Sequence, residues 1–269
     1  MSSEENILGG IYESKNSGNF IVTKKLPKSK YEVEFLETGY KTTASAWSVK
    51  VGCVKDKLNP SIYGVAFIGD GDFSYSKDKE AYKRWFGPLS RCYSGSKKCY
   101  EESTFSDEWL NFQNFAAWFY SRKEYDKSLQ LDKDIAIIGN KQYSAEACNF
   151  VPGYLNNIVN STTSPKHLYS DLPIGVTLHK EGQNSRRKQS YMAQKSGFLD
   201  SKRFVGYSES AMEAHFMWMK AKAQELQTAL NFYVQGTYVE DVCRGVEERI
   251  EILNVHLSEG KEFKGYKNG

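Results

Sequence analysis

Two aspartates one residue apart, Asp132 and Asp134, followed by the adjacent asparagines Asn156 and Asn157, are the residues whose types and spacing come nearest to a reaction centre. On a strand through Leu131–Ile135, alternation places both carboxylates on one face. Hard oxygen ligands there suit Mg²⁺ or Mn²⁺. A divalent cation shared with an asparagine is the apparatus of metal-assisted phosphodiester hydrolysis. A proton acceptor is missing, however. The chain has four histidines, His167, His179, His215 and His256, and none lies between residues 128 and 160. A carboxylate titrating near 4 is a weak base for water. The plainer reading has Asp132 capping a turn or pairing with Lys133 or Lys141. No metal site or catalytic set is therefore assigned. Were the chain a nuclease, Asp132, Asp134, Asn156 and Asn157 would carry the reaction.

The elements that must position these residues are legible from periodicity. The segment around 128–160 reads as strand, turn at Gly139-Asn140, second strand and short helix. Upstream, Phe20–Thr23 and Tyr31–Phe35 alternate as half-buried strands do. Lys24–Lys28 reads as a basic turn, and Tyr40–Ser48 as a further strand or short helix. The run Gly64–Asp72 has the glycines of a phosphate-cradling loop but not the Walker spacing, and its two aspartates would repel phosphate, so it reads as a turn. Lys79–Tyr93 is helical with a break expected at Gly87-Pro88. A second helix over 106–123 buries Trp109, Phe112, Phe115, Ala116 and Phe119. After a polar linker, strands are expected at 174–179, 191–194 and 204–206, then helices over 208–234 and 238–257, and a frayed tail from Glu259. The expected fold class is α+β. Its modules are a small β-rich N-terminal unit (1–75), helices with the strand–turn–helix segment (76–162), a three-stranded sheet with one helix (173–235), and a C-terminal helical arm (236–269).

Composition narrows the function classes. The 269 residues are 40% hydrophobic and 26% charged, with a net charge of only +3, so any nucleic-acid contact must come from a local patch. Aromatics reach 14%, which suits compact cores and also stacking or interface surfaces. Five scattered cysteines without a Cys-x-x-Cys pair imply reduced thiols in a cytoplasm and argue against a zinc site. No apolar run approaches the roughly 18 residues that span a membrane.

Three blocks carry a family resemblance. They are Thr38–Thr43 with Gly52–Asp56 and Pro60–Val65; Tyr82–Trp85 with Leu89–Tyr93 and Phe105–Trp118; and Leu131–Asn157 followed by Pro173–Val176. In this order they resemble phage and prophage proteins of the HNH endonuclease-like and AP2-domain kind, over about residues 38–225. In an active HNH site a histidine near the first aspartate position takes the proton from the attacking water, and a later His or Asn helps hold the metal. Here that base position offers Asp132 or Asp134, so the resemblance is to a degenerate ββα motif. It implies that the sheet and helix after residue 173 form an AP2-like DNA-binding unit. Lys180, Arg186, Arg187, Lys188, Lys195, Lys202 and Arg203 lie on or between its strands and would meet phosphates or a partner.

The last helix lies outside the resemblance. Its apolar stripe, Val242, Val246, Ile250 and Leu253, is expected to serve self-association or docking, flanked by Glu247 and Glu251. The reading that follows is a phage-encoded, non-catalytic interaction protein in the host cytoplasm. It would homo-oligomerise, have no cofactor and no membrane partner, and bind and block a host anti-phage defence complex. The alternatives are a divergent HNH-type DNA endonuclease using Mg²⁺ or Mn²⁺, and a phage DNA-binding regulator.

Overall fold

The computed structural model describes residues 7–96, 100–122, 125–161, 171–179, 190–198, 203–236 and 238–266. The protein is α+β, with small antiparallel sheets interleaved with helices. It divides into two compact units, Met1–Arg122 and Lys123–Gly269. That boundary falls inside the 76–162 module expected from sequence. The aromatic helices belong to the first unit and the strand–turn–helix segment to the second.

In unit 1, β1 (Ile11–Ser14), β2 (Gly18–Leu26), β3 (Lys30–Phe35) and β4 (Lys41–Ser45) form an antiparallel meander in sequence order. Alternation sorts the faces: Phe20, Val22, Val33 and Phe35 are buried with Tyr40, Ala44, Val49 and Val54. The expected turn at Lys24–Lys28 is displaced, because Lys24, Lys25 and Leu26 stay paired in β2. The chain reverses at Pro27-Lys28-Ser29, with φ of 60° at Lys28 and 54° at Ser29. Residues 40–48 are both strand and helix: Ser45 ends β4 and its side chain caps α1 (Ala46–Lys50) by accepting from Ser48 N.

α2 (Lys79–Tyr93) runs through Gly87-Pro88 without the expected break. Trp85, Pro88 and Leu89 are buried along it, so packing holds the helix across the hydrogen bond that proline cannot make. After the two-residue β5 (Thr104–Phe105), the expected second helix is split. α3 (Asp107–Leu110) ends at Asn111, which is extended and caps α4 (Phe112–Ser121) by accepting from Gln113 N. Trp109, Phe112, Phe115, Ala116 and Phe119 are all buried, as their spacing predicts. The Trp85 indole N–H donates to Trp109 O at 2.6 Å, which satisfies its one polar atom inside that aromatic core.

In unit 2, β6 (Leu129–Asp132) pairs antiparallel with β8 (Asn149–Pro152), the short β7 (Gln142–Tyr143) lies between them in sequence, and α5 (Gly153–Asn160) follows. β9 (Val176–His179), β10 (Ser190–Gln194) and β11 (Phe204–Ser208) form an antiparallel sheet in the order β11-β10-β9. α6 (Ala211–Gly236) packs on this sheet and on α5, and α7 (Glu240–Ser258) packs along α6. Both the ββα frame and the three-strands-on-one-helix arrangement are therefore present. The backbone of Gly175, at a φ of 80°, lies directly against the Trp218 ring, where any side chain would collide.

The tail is not frayed as far as it is described. Phe263 and Tyr266 are buried in the unit 2 core, and Phe263 N donates to His215 Nε2 at 3.0 Å. His215 Nδ1 meets Ile174 O at 2.7 Å, so this fully buried imidazole joins the start of β9, α6 and the tail. Two aromatic side chains three residues apart supply enough apolar surface to dock a segment that looked polar overall.

Gly245, inside α7, presses on the backbone of Ile135. Replacing an interior helical glycine by alanine ordinarily gains about 1 kcal/mol. Here Gly245→Ala is expected to lose about 1–3 kcal/mol, because the added methyl meets backbone. Urea unfolding followed by circular dichroism reads the sign directly.

Candidate functional site

The strand–turn–helix segment is assembled, but its acidic residues are committed elsewhere. β6 ends at Asp132, and the chain turns there rather than extending to Asp134. Asp132 Oδ1 accepts from Asp134 N at 2.9 Å and from Ile135 N at 2.7 Å. The Asp134 carboxylate accepts from Lys133 Nζ at 2.9 Å. Asn156 Nδ2 donates to Gln130 Oε1 at 2.7 Å and its Oδ1 accepts from Asn160, while Asn157 is exposed. Asp132, Asp134 and Asn156 thus each have a hydrogen-bond partner within the chain. Among the described residues no group of three or more His, Cys, Asp or Glu is placed to hold a metal. A dication bound at Asp134 would have to displace the Lys133 ammonium.

The loop from 133 to 142 is held from two sides. Asn140 Nδ2 donates to Lys133 O at 2.6 Å and Gln142 O at 2.7 Å. From α7, the buried Arg249 guanidinium donates to Ile135 O and Gly245 O, each at 2.6 Å, and to Asp134 O. Its face lies 5.5 Å from the Tyr266 ring centroid. Burial, with the neighbouring Asp134 charge, pushes the Asp132 carboxyl up to about 6. That is closer to the range of a working base than an ordinary carboxyl.

Of the seven basic residues, Lys195 and Arg203 are described. Lys180, Arg186, Arg187, Lys188 and Lys202 lie outside the described residues. Arg203 is exposed. Lys195, expected to face phosphate or a partner, is instead drawn inward, its Nζ 3.1 Å from Glu225 Oε1. The α7 stripe is also corrected. Val242, Val246 and Leu253 are fully buried within unit 2 and Ile250 is half-buried against the same core, so this surface is spent on α6 rather than left for association. Glu247 and Glu251 remain exposed, with Glu240, Asp241 and Glu248.

A buried polar cluster on α6 was not anticipated. Lys222 Nζ donates to Ile158 O at 2.7 Å, Ser161 Oγ at 2.6 Å, Ser196 Oγ at 3.1 Å and Glu225 Oε2 at 3.3 Å. Ser196 Oγ donates to Glu225 Oε2 at 2.6 Å. Burial pulls the Lys222 ammonium down to about 8 against the attraction of Glu225. Burial alone would push Glu225 up, but Lys222, Ser196 and Lys195 hold it below its ordinary value. Ser161 gives its own proton to Ile158 O at 2.7 Å and is not a poised nucleophile. The cluster ties α5 and the β10–β11 connection to α6. Its sequence signal was the spacing 215, 218, 222, 225, 229, which sets Lys222 and Glu225 on the same helical stripe as Trp218 and Ala229.

No protein-family model matches the chain, and no curated protein or solved structure matches it either.

Two outcomes follow from these environments. The fold binds the Asp132 proton more tightly than the unfolded chain does, whose carboxyl titrates near 4. The resulting stability is full below pH 4 and is lost as the pH rises through 6. Asp132→Asn, which keeps the Oδ1 acceptor, should therefore raise stability by about 3 kcal/mol at pH 8 and leave it nearly unchanged at pH 4; thermal melts at the two pH values measure this. Lys222→Ala should cost about 3 kcal/mol by leaving Glu225 short of a buried partner, whereas the double change Lys222→Met with Glu225→Met should recover most of that loss in urea unfolding.

Proposed function

We propose that this chain is a non-catalytic interaction protein built on a nuclease-like ββα scaffold, encoded by a phage and acting in the host cytoplasm. The observation that carries this reading is the state of the would-be catalytic residues. Asp132 caps its own turn and Asp134 holds Lys133, so one oxygen of each carboxylate already has a partner. The outer face of α7 supports the choice of partner. With its apolar side buried, it presents Glu240, Asp241, Glu247, Glu248 and Glu251 to solvent. Arg244 on the same face pairs with Asp241 at 2.7 Å, and the remaining glutamates complement a basic, DNA-binding protein surface and repel a duplex. A host defence nuclease or its DNA-binding subunit is a partner of that chemistry.

The raised Asp132 carboxyl favours one second reading, a divergent endonuclease with Asp132 as its base. A DNA-binding regulator is less well supported. The outward positions described on β10 and β11 include Met192, Gln194, Phe204 and Tyr207, with Arg203 as the exposed cation among the described residues.

Supercoiled plasmid incubated with the protein and Mg²⁺ or Mn²⁺ should stay supercoiled. Nicking that disappears in Asp132→Ala would establish the endonuclease instead. In host extract, the captured protein should be released by competing duplex DNA and by moderate salt. It should not bind the variant carrying Glu247→Lys and Glu251→Lys.

A further inference from the structure

Unit 1 contains a cleft of about 580 Å³ that neither the ββα segment nor the α7 face involves. The volume is that of a small-molecule site. One wall is the reversal after β1 together with residues 52–57. Ser14 Oγ donates to Val54 O at 2.7 Å and Lys15 N to Gly52 O at 3.0 Å, which fixes the two strands of chain against each other. Gly52, at a φ of 66°, is needed there because a side chain would strike Glu13 O. Lys15, Lys55 and Lys57 line this wall, as does the exposed thiol of Cys53.

A second wall is the glycine-broken run that the sequence presents as a turn, joined to the first by Gly69 N donating to Lys57 O at 2.9 Å. It is a built surface. The half-buried loop is pinned by Gln113, whose Oε1 accepts from Phe73 N at 3.0 Å and whose Nε2 donates to Ile68 O and Phe73 O, each at 2.9 Å. Gly69 and Gly71 have no side chains because Asn111 and Gln113 fill that space. Phe73 is set in place by stacking on Tyr120, with ring centroids 5.5 Å apart.

The charge objection read from the sequence is removed by the geometry. Asp70 and Asp72 are not among the residues lining the cleft, and Asp70 is neutralised by Lys57 Nζ at 2.7 Å. Asp56 does line it, but its oxygens accept from Thr38 Oγ1 at 2.5 Å and Leu58 N at 2.7 Å. Among the described residues neither Lys15 nor Lys55 has an ion-pair partner. The cleft therefore combines ammonium groups with a fixed aromatic ring and serine hydroxyls.

We propose that this cleft binds a nucleoside phosphate, its phosphates on Lys15 and Lys55 and its base toward Phe73. Two separate cations favour an extended polyanion over a single carboxylate. A half-buried ring held rigid from behind favours a flat ligand on its free side. The site lies in unit 1 and stands or falls independently of the interaction surface proposed for unit 2.

Cys53 is a reporter already in place. Iodoacetamide labelling of Cys53, mapped by mass spectrometry, is followed with each of the four nucleoside triphosphates, with pyrophosphate, with adenosine and with a short single-stranded oligonucleotide. A triphosphate several times above its Kd should slow Cys53 alkylation about fivefold or more, because only the empty cleft reacts. Lys15→Glu combined with Lys55→Glu, both surface changes, should abolish the protection while the melting curve stays that of the wild type. No protection by any triphosphate at millimolar concentration overturns the proposal, and so does protection that survives in the double variant. Pyrophosphate protecting as well as the triphosphates overturns the nucleoside assignment. Protection by the oligonucleotide alone makes the cleft part of a nucleic-acid path.

Discussion

Charge held inside the second unit is the constraint on which its architecture depends. An ammonium or guanidinium taken out of water costs several kcal/mol unless oxygen atoms surround it. Lys222 finds them at the end of α5, in the β10–β11 connection and on its own helix. Arg249 finds them in the backbone of the 134–135 turn. Neither residue is satisfied until segments far apart in sequence have converged. The apolar contacts of α6 and α7 supply the driving force for burial, but they are non-directional. The buried cations add direction, because carbonyls and hydroxyls must be brought to their donors, Arg249 Nε excepted.

This bears on the segment that follows β6. The turn there is a structural joint. Asp132 faces its own amides, Asn140 closes the loop behind it, and Arg249 grips the carbonyls from α7.

Local pattern made much of this legible. Strand alternation in β2 and β3, the aromatic stripe of α4, the β6–β8–α5 frame and the sheet beneath α6 all follow from period and punctuation, because each buries one face of one element. What escaped reading depends on partners distant in sequence. The stripe Val242, Val246 and Leu253 has the same spacing whether it meets another molecule or α6. Asp132 and Asp134 obey strand alternation only if the strand continues, and it stops one residue too soon. Lys195 looks like any surface lysine until Glu225 is brought beneath it. The wall around Phe73 needs Gln113, 40 positions away, to hold it.

The docked tail has a consequence for how the molecule is made. Unit 1 is contiguous from residue 1 to 122, so its aromatic helices can close while later residues are still being translated. Unit 2 has no such opportunity. His215 and Trp218 are completed by Phe263, and Arg249 by Tyr266, so its interior stays open until those late aromatic residues emerge from the ribosome. During that interval the part of α6 around His215 and Trp218 lacks the aromatic cover that Phe263 supplies.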